Sequence, residues 1–202
     1  MDRLLVWEIS PNRMRANTCY LYVLPLAYED ILKVGISGDP LTRAQAFSRR
    51  YYECFDLPRS LLVAFDGKRE AQARETELHR QLRPFNATQP LTIPVQAAGQ
   101  TEWYRGAYAL LSDEVEGDRL RGNIVHAPSI AWWRKRLGDE REALYEWASL
   151  MLREADDQLP PIERLQLLAD ALDAYPCLDV PLDDVLPLKL ARWYGGYRAV
   201  WQ

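Results

Sequence analysis

Apolar positions in this chain alternate at first, then recur at helical spacing, and the change of period falls near residue 106. Residues 19–24 (CYLYVL) put Tyr20, Tyr22 and Leu24 on one face of a strand and Cys19, Leu21 and Val23 on the other, and Pro25 ends the run. Ile31–Ser37 (ILKVGIS) alternates too, with Leu32, Val34 and Ile36 opposite Lys33, Gly35 and Ser37. The two are expected to pair as an antiparallel hairpin. Leu61–Phe65 reads as a third strand, and residues 3–9 (RLLVWEI) as a short strand or edge element. Asp39 suits an N-cap and Pro40 a first helical position, so residues 41–50 are expected to form a helix. A second helix is expected over 68–82, stopped by Pro84. Its inward stripe is Ala71, Glu75, Leu78 and Leu82, with Arg74, Glu77, Arg80 and Gln81 elsewhere.

From 107 onward the period is helical, over about 107–118, 129–157, 161–174 and 183–194. Trp132, Trp133, Tyr145, Trp147, Leu150 and Leu152 are spaced as core or helix contacts. The fold expected is α+β: a small three-stranded antiparallel sheet flanked by helices in residues 1–106, followed by an all-α domain in residues 107–202.

Glu75 is the anomaly in this pattern. A carboxylate on an inward stripe needs a cation, a metal or converging donors; otherwise the stripe is narrow and Glu75 reaches solvent or pairs with Arg43 or Arg74. Arg43 stands in the first turn of its helix, where the dipole disfavours a cation, so the guanidinium itself is wanted there.

Composition narrows the possibilities. The net charge of −4 argues against a protein that coats nucleic acid by bulk electrostatics, but residues 1–101 carry a net +2 and residues 102–202 a net −6. A phosphate-handling first half with an acidic second half is permitted. Cys19, Cys54 and Cys177 are too scattered for a disulfide framework or a zinc site. The opening residues are too short in apolar character for a signal peptide, and no apolar run reaches membrane length, so the expectation is a cytoplasmic protein with no membrane partner.

The ordered motifs resemble the GIY-YIG nuclease superfamily, and more narrowly its phage-type branch with a K-[IV]-G-[IV]-[ST] second motif. Tyr20-Leu21-Tyr22-Val23-Leu24 resembles the first motif and Lys33-Val34-Gly35-Ile36-Ser37 the second, followed by Asp39-Pro40 and Arg43. Glu75-Thr76-Glu77-Leu78-His79 is similar to E-x-x-L-H, Pro84 and Asn86 to P-x-N, and Glu102-Trp103-Tyr104 to the closing E-W-[FY]. Tyr20 takes the place of the usual first glycine and Lys33 that of the usual second tyrosine; Phe47 stands one turn after Arg43, where His or Tyr is common. Tyr20, Tyr51, Tyr52 and His79 are the candidates to replace that group.

The resemblance implies a metal-dependent DNA endonuclease. Glu75 would be the protein ligand of Mg²⁺ (or Mn²⁺), Arg43 the bidentate phosphate clamp and Lys33 a point charge on a neighbouring oxygen. Tyr22, its pKa lowered by Lys33 and Arg43, would take the proton of the attacking water. Arg49, Arg50, Tyr52, His79 and Asn86 are the expected substrate contacts, cations interleaved with stacking groups. Glu102 is read as a local hydrogen-bond acceptor, with a second metal ligand as the alternative. Residues 107–202 would serve dimerisation, targeting or a protein partner, or mask the nuclease face by mimicking DNA charge. The competing reading is a non-catalytic module of the same fold that binds DNA or a protein.

Overall fold

The computed structural model describes residues 18–97, 99, 101–153, 162–182 and 186–201. The strand expected at residues 3–9 lies outside them. Strand β1 (Cys19–Pro25) pairs antiparallel with β2 (Ile31–Ser37) and, along its other edge, with β3 (Leu61–Phe65). Helix α1 (Pro40–Phe47) is opened by Asp39, whose carboxylate accepts from the Leu41 amide, and a short α2 (Tyr51–Cys54) follows. Helix α3 is Lys68–Gln81.

The sheet has five strands rather than the expected three. β4 (Trp103–Arg105) adds to β2, and β5 (Ile124–His126) adds to β3, giving the order β4-β2-β1-β3-β5, antiparallel throughout. Each added strand is three residues long, too short for a period-2 pattern, and each closes an edge that would otherwise expose unpaired backbone groups. The fold remains α+β.

Helix α4 (Tyr108–Leu120) precedes β5; after it come α5 (Ile130–Asp139), α6 (Arg141–Arg153), α7 (Ile162–Cys177) and α8 (Leu188–Trp201). Residues 129–153 thus form two helices where the periodicity predicts one.

Two apolar cores sandwich the sheet. Cys19, Leu21, Val23, Leu32, Val34 and Val63 pack against Ala71, Leu78 and Leu82 of α3 and Leu111 and Val115 of α4. On the other face Tyr20, Tyr22, Leu24 and Leu62 join Leu41 and Phe47 of α1, and this core continues through Trp132 and Trp133 to Leu144, Leu168, Leu172 and Leu190. Ser60 and Ser129 anchor that continuation: their hydroxyls lie 2.6 Å apart, and Trp133 donates its indole N–H to Ser60 at 2.8 Å. Tyr145 and Leu150, read as core contacts, are exposed, because α6 turns Leu144 and Ala148 inward instead. The Leu152 side chain lies outside the described part of α6.

Candidate active site at the break in the sheet edge

β4 pairs with β2 only as far as Trp103 opposite Lys33. One further backbone bond, from the Val34 N–H to the Glu102 carbonyl at 3.2 Å, ends the pairing, and charged side chains come together beyond it.

From one face come Tyr22, Lys33 and Arg43. Tyr22 and Gly35 are register partners on β1 and β2, and the tyrosine ring lies directly over the glycine. A Cβ at position 35 would sit 2.7 Å from Tyr22 Cζ and closer still to the hydroxyl, so only glycine leaves room for the ring. The Tyr22 hydroxyl accepts from Arg43 Nε at 3.3 Å, and the guanidinium rests 4.4 Å above the Phe47 ring. Phe47 is therefore a platform for the arginine. Lys33 is fully buried; its Nζ donates to Glu102 Oε2 at 2.5 Å and to the Gly99 carbonyl at 3.0 Å. Gly99 has φ of +73°, a left-handed conformation that favours glycine.

From α3 come Glu75 and His79. Glu75 is only 6% exposed, which agrees with its place on the inward stripe; Gln72 Nε2 donates to its Oε2 at 2.5 Å. Arg74 does not pair with it. That guanidinium, expected off the stripe, is equally buried and binds Asp118 and Glu114 of α4 together with Glu77, because α4 covers a wider arc of α3 than the stripe implies. Glu102 joins the two groups: its carboxylate holds Lys33 and falls with Glu75 and His79 in a cluster whose ligating atoms all lie within 4.8 Å of one another.

The electrostatics differ from expectation at Tyr22. Burial is the largest influence on its hydroxyl and pushes its pKa up to about 12, against the lowering effect of Arg43. The Lys33 charge is spent on Glu102, so it does not acidify the tyrosine. The same dry environment pulls the Lys33 ammonium below its usual range, with Glu102 opposing.

Of the remaining predicted contacts, His79 is brought to the cluster. Asn86 is exposed and reaches this region through a backbone bridge to Tyr104. Arg49 is exposed. Arg50 and Tyr52 are engaged elsewhere: Arg50 bonds Glu53, Asp170 and Asp173, and the Tyr52 hydroxyl donates to the Asp170 carbonyl at 3.1 Å, so helix α7 holds both. Tyr20 meets Trp132 edge-on and Tyr51 is buried beside Trp133, which leaves His79 as the one proposed replacement group at the site. Tyr104, which sequence reasoning assigned no role, bonds His79. Its only signal was the closing E-W-[FY] motif.

The sheet thus gathers an arginine, a lysine, two carboxylates and a histidine at one edge. Residues 19–117 match the family model of the T5orf172 domain, which belongs to the GIY-YIG/HNH-like nuclease-related superfamily. The matched stretch takes in β1 to β4, α3 and most of α4. No curated protein and no solved structure matches the chain. Among the described residues no helix is long and apolar enough to cross a membrane.

Proposed function

We propose that the chain is a metal-dependent DNA endonuclease of the GIY-YIG type, in its phage-type branch, hydrolysing phosphodiester bonds at this edge site. The observation that carries the reading is the convergence of Tyr22, Lys33, Arg43 and Glu75 with His79 and Glu102. Two carboxylates and two obligate or near-obligate cations leave the site close to neutral. A dication would add positive charge matched to a phosphodiester and to the further negative charge of its transition state.

The donor chemistry fits a divalent ion: carboxylate oxygens and an imidazole lie close together, and among the described residues no protein cation is hydrogen-bonded to the buried Glu75. When bound there, the ion supplies a Lewis acid for the phosphoryl oxygens and a more acidic water. The residues do the rest. Arg43, fixed between the Tyr22 hydroxyl and the Phe47 face, offers its terminal N–H pair to the scissile phosphate. Lys33 holds Glu102 in place and adds positive charge behind the phosphate. Tyr22, its pKa raised by burial, serves as a fixed hydroxyl, accepting from Arg43 and presenting its own proton to the substrate. One such site per chain cuts one strand.

Burial of Tyr22 and Lys33 favours a second reading, a DNA-binding module that does not cut. Supercoiled plasmid separates the two. With Mn²⁺ or Mg²⁺ the full chain should yield open circles, and Glu75→Gln and Arg43→Ala should each lower the rate by about 10²-fold or more. Retention of plasmid without nicking by wild type would leave the binding module.

A further inference from the structure

A site in which Glu75 is the only protein ligand does not account for His79. The imidazole is stacked on Tyr104, with centroids 5.8 Å apart and planes 25° from parallel, and its Nδ1 lies 2.6 Å from the Tyr104 hydroxyl. Its Nε2 is buried, has no hydrogen-bond partner among the described residues, and lies 3.7 Å from Glu75 Oε1. That separation is too long for a hydrogen bond. A buried polar atom left in this state is destabilising.

The tautomer explains the arrangement. If Nδ1 carries the proton and donates it to Tyr104, Nε2 presents a lone pair to the volume that Glu75 and Glu102 also face. Three lone-pair donors gathered within 4.8 Å of one another repel unless a cation stands among them. Ligands about 2.1 Å from an ion sit about 3.0 Å apart when adjacent and about 4.2 Å when opposite, so a cluster within 4.8 Å needs only a small contraction to close on one. A histidine whose other ring nitrogen is held by an outer hydrogen bond is the usual form of a metal-ligating imidazole.

We infer that the ion is held by three protein donors, Glu75, His79 Nε2 and Glu102, with Tyr104 as the positioning residue that fixes the His79 tautomer. This deepens the nuclease reading and rests on it for the ion's use, though not for its binding. An imidazole in the donor set favours ions that accept nitrogen over Mg²⁺, which prefers oxygen throughout. The site therefore selects Mn²⁺ over Mg²⁺.

The test is titration of the full chain with MnCl₂ and with MgCl₂ by calorimetry, together with pulsed electron paramagnetic resonance of bound Mn²⁺ to detect a directly coordinated ¹⁴N. The expected result is one Mn²⁺ per chain, bound about tenfold or more tightly than Mg²⁺, with nitrogen coupling. His79→Gln should remove the coupling and most of the preference, and Tyr104→Phe should weaken Mn²⁺ by about tenfold while retaining a disordered coupling. His79→Gln leaves the Lys33–Glu102 pair intact, so the variant keeps that buried contact and reads the donor set alone. Nitrogen coupling absent from wild type, or Mn²⁺ affinity unchanged in His79→Gln, would overturn it. Nitrogen-coupled binding with no plasmid nicking would sustain the three-donor site and sink the nuclease; nicking with Mn²⁺ affinity indifferent to His79 would do the reverse.

Discussion

Arg74 and Glu75 are consecutive residues on α3, each 6% exposed, and each carries a charge into the protein interior. Their surroundings are opposite. Arg74 is saturated: Nε bonds Asp118, the terminal nitrogens bond Glu77 and Glu114, and Asp118 is braced again by Arg121. Glu75 has one neutral donor, Gln72, and faces a histidine nitrogen that bonds nothing among the described residues. A buried charge whose partners are complete ties two helices together; one whose partners are incomplete marks a place where something else binds. The same helix does both, on adjacent positions about 100° apart around its axis.

The largest expected effect tests the saturated side. Arg74→Met leaves Asp118 buried with only Arg121 and should cost about 3 kcal/mol of unfolding free energy, read as a fall of roughly 6–12 °C in melting temperature. Glu75→Gln, by contrast, should leave stability within about 1 kcal/mol of wild type, since a neutral amide replaces an incompletely paired carboxylate. If the two substitutions destabilise equally, the contrast between the neighbours is lost.

A smaller effect sharpens the geometry of the site. Gly35→Ala drives a methyl group into the Tyr22 ring and should cost about 1–3 kcal/mol by denaturant titration, with nicking lost beyond what unfolding explains because the hydroxyl moves off Arg43. Wild-type stability and nicking in this variant would mean that the ring position is not fixed by the glycine.

The smallest effect concerns Arg50, a cation that the acidic helix holds. Asp170→Asn with Asp173→Asn should change stability by less than about 1 kcal/mol, as expected of a partly exposed ion pair. With Glu53 still holding two of its nitrogens, Arg50 keeps only its Nη1 side open to a phosphate, and duplex DNA binding should tighten by about twofold or more at low salt, with a steeper salt dependence. Unchanged DNA affinity would assign Arg50 to joining α2 and α7 only.

The residues most readily read from the sequence were those on elements with a full repeat of their period. Tyr22 and Lys33 sit on seven-residue strands, and Glu75 on four turns of helix, so face and register followed from spacing. Tyr104 belongs to a three-residue strand whose pairing is set by β2, some seventy residues earlier, with Glu102 just ahead of it, and no local period announces either. Alternation along the chain therefore gives three strands where the sheet has five. The engagement of Arg50 and Tyr52 by α7 is a contact over more than a hundred residues of chain, which a run of cations and aromatics cannot reveal. The raised pKa of Tyr22 was invisible for a related reason: nearby cations can be read from a sequence, but burial deep enough to outweigh them cannot.

The most direct test of the account is the rate of plasmid nicking by Glu75→Gln with Mn²⁺, measured on a preparation whose melting temperature matches wild type. The account predicts nicking by wild type and a rate at least about 10²-fold lower in the variant. Equal nicking by the two proteins would contradict it.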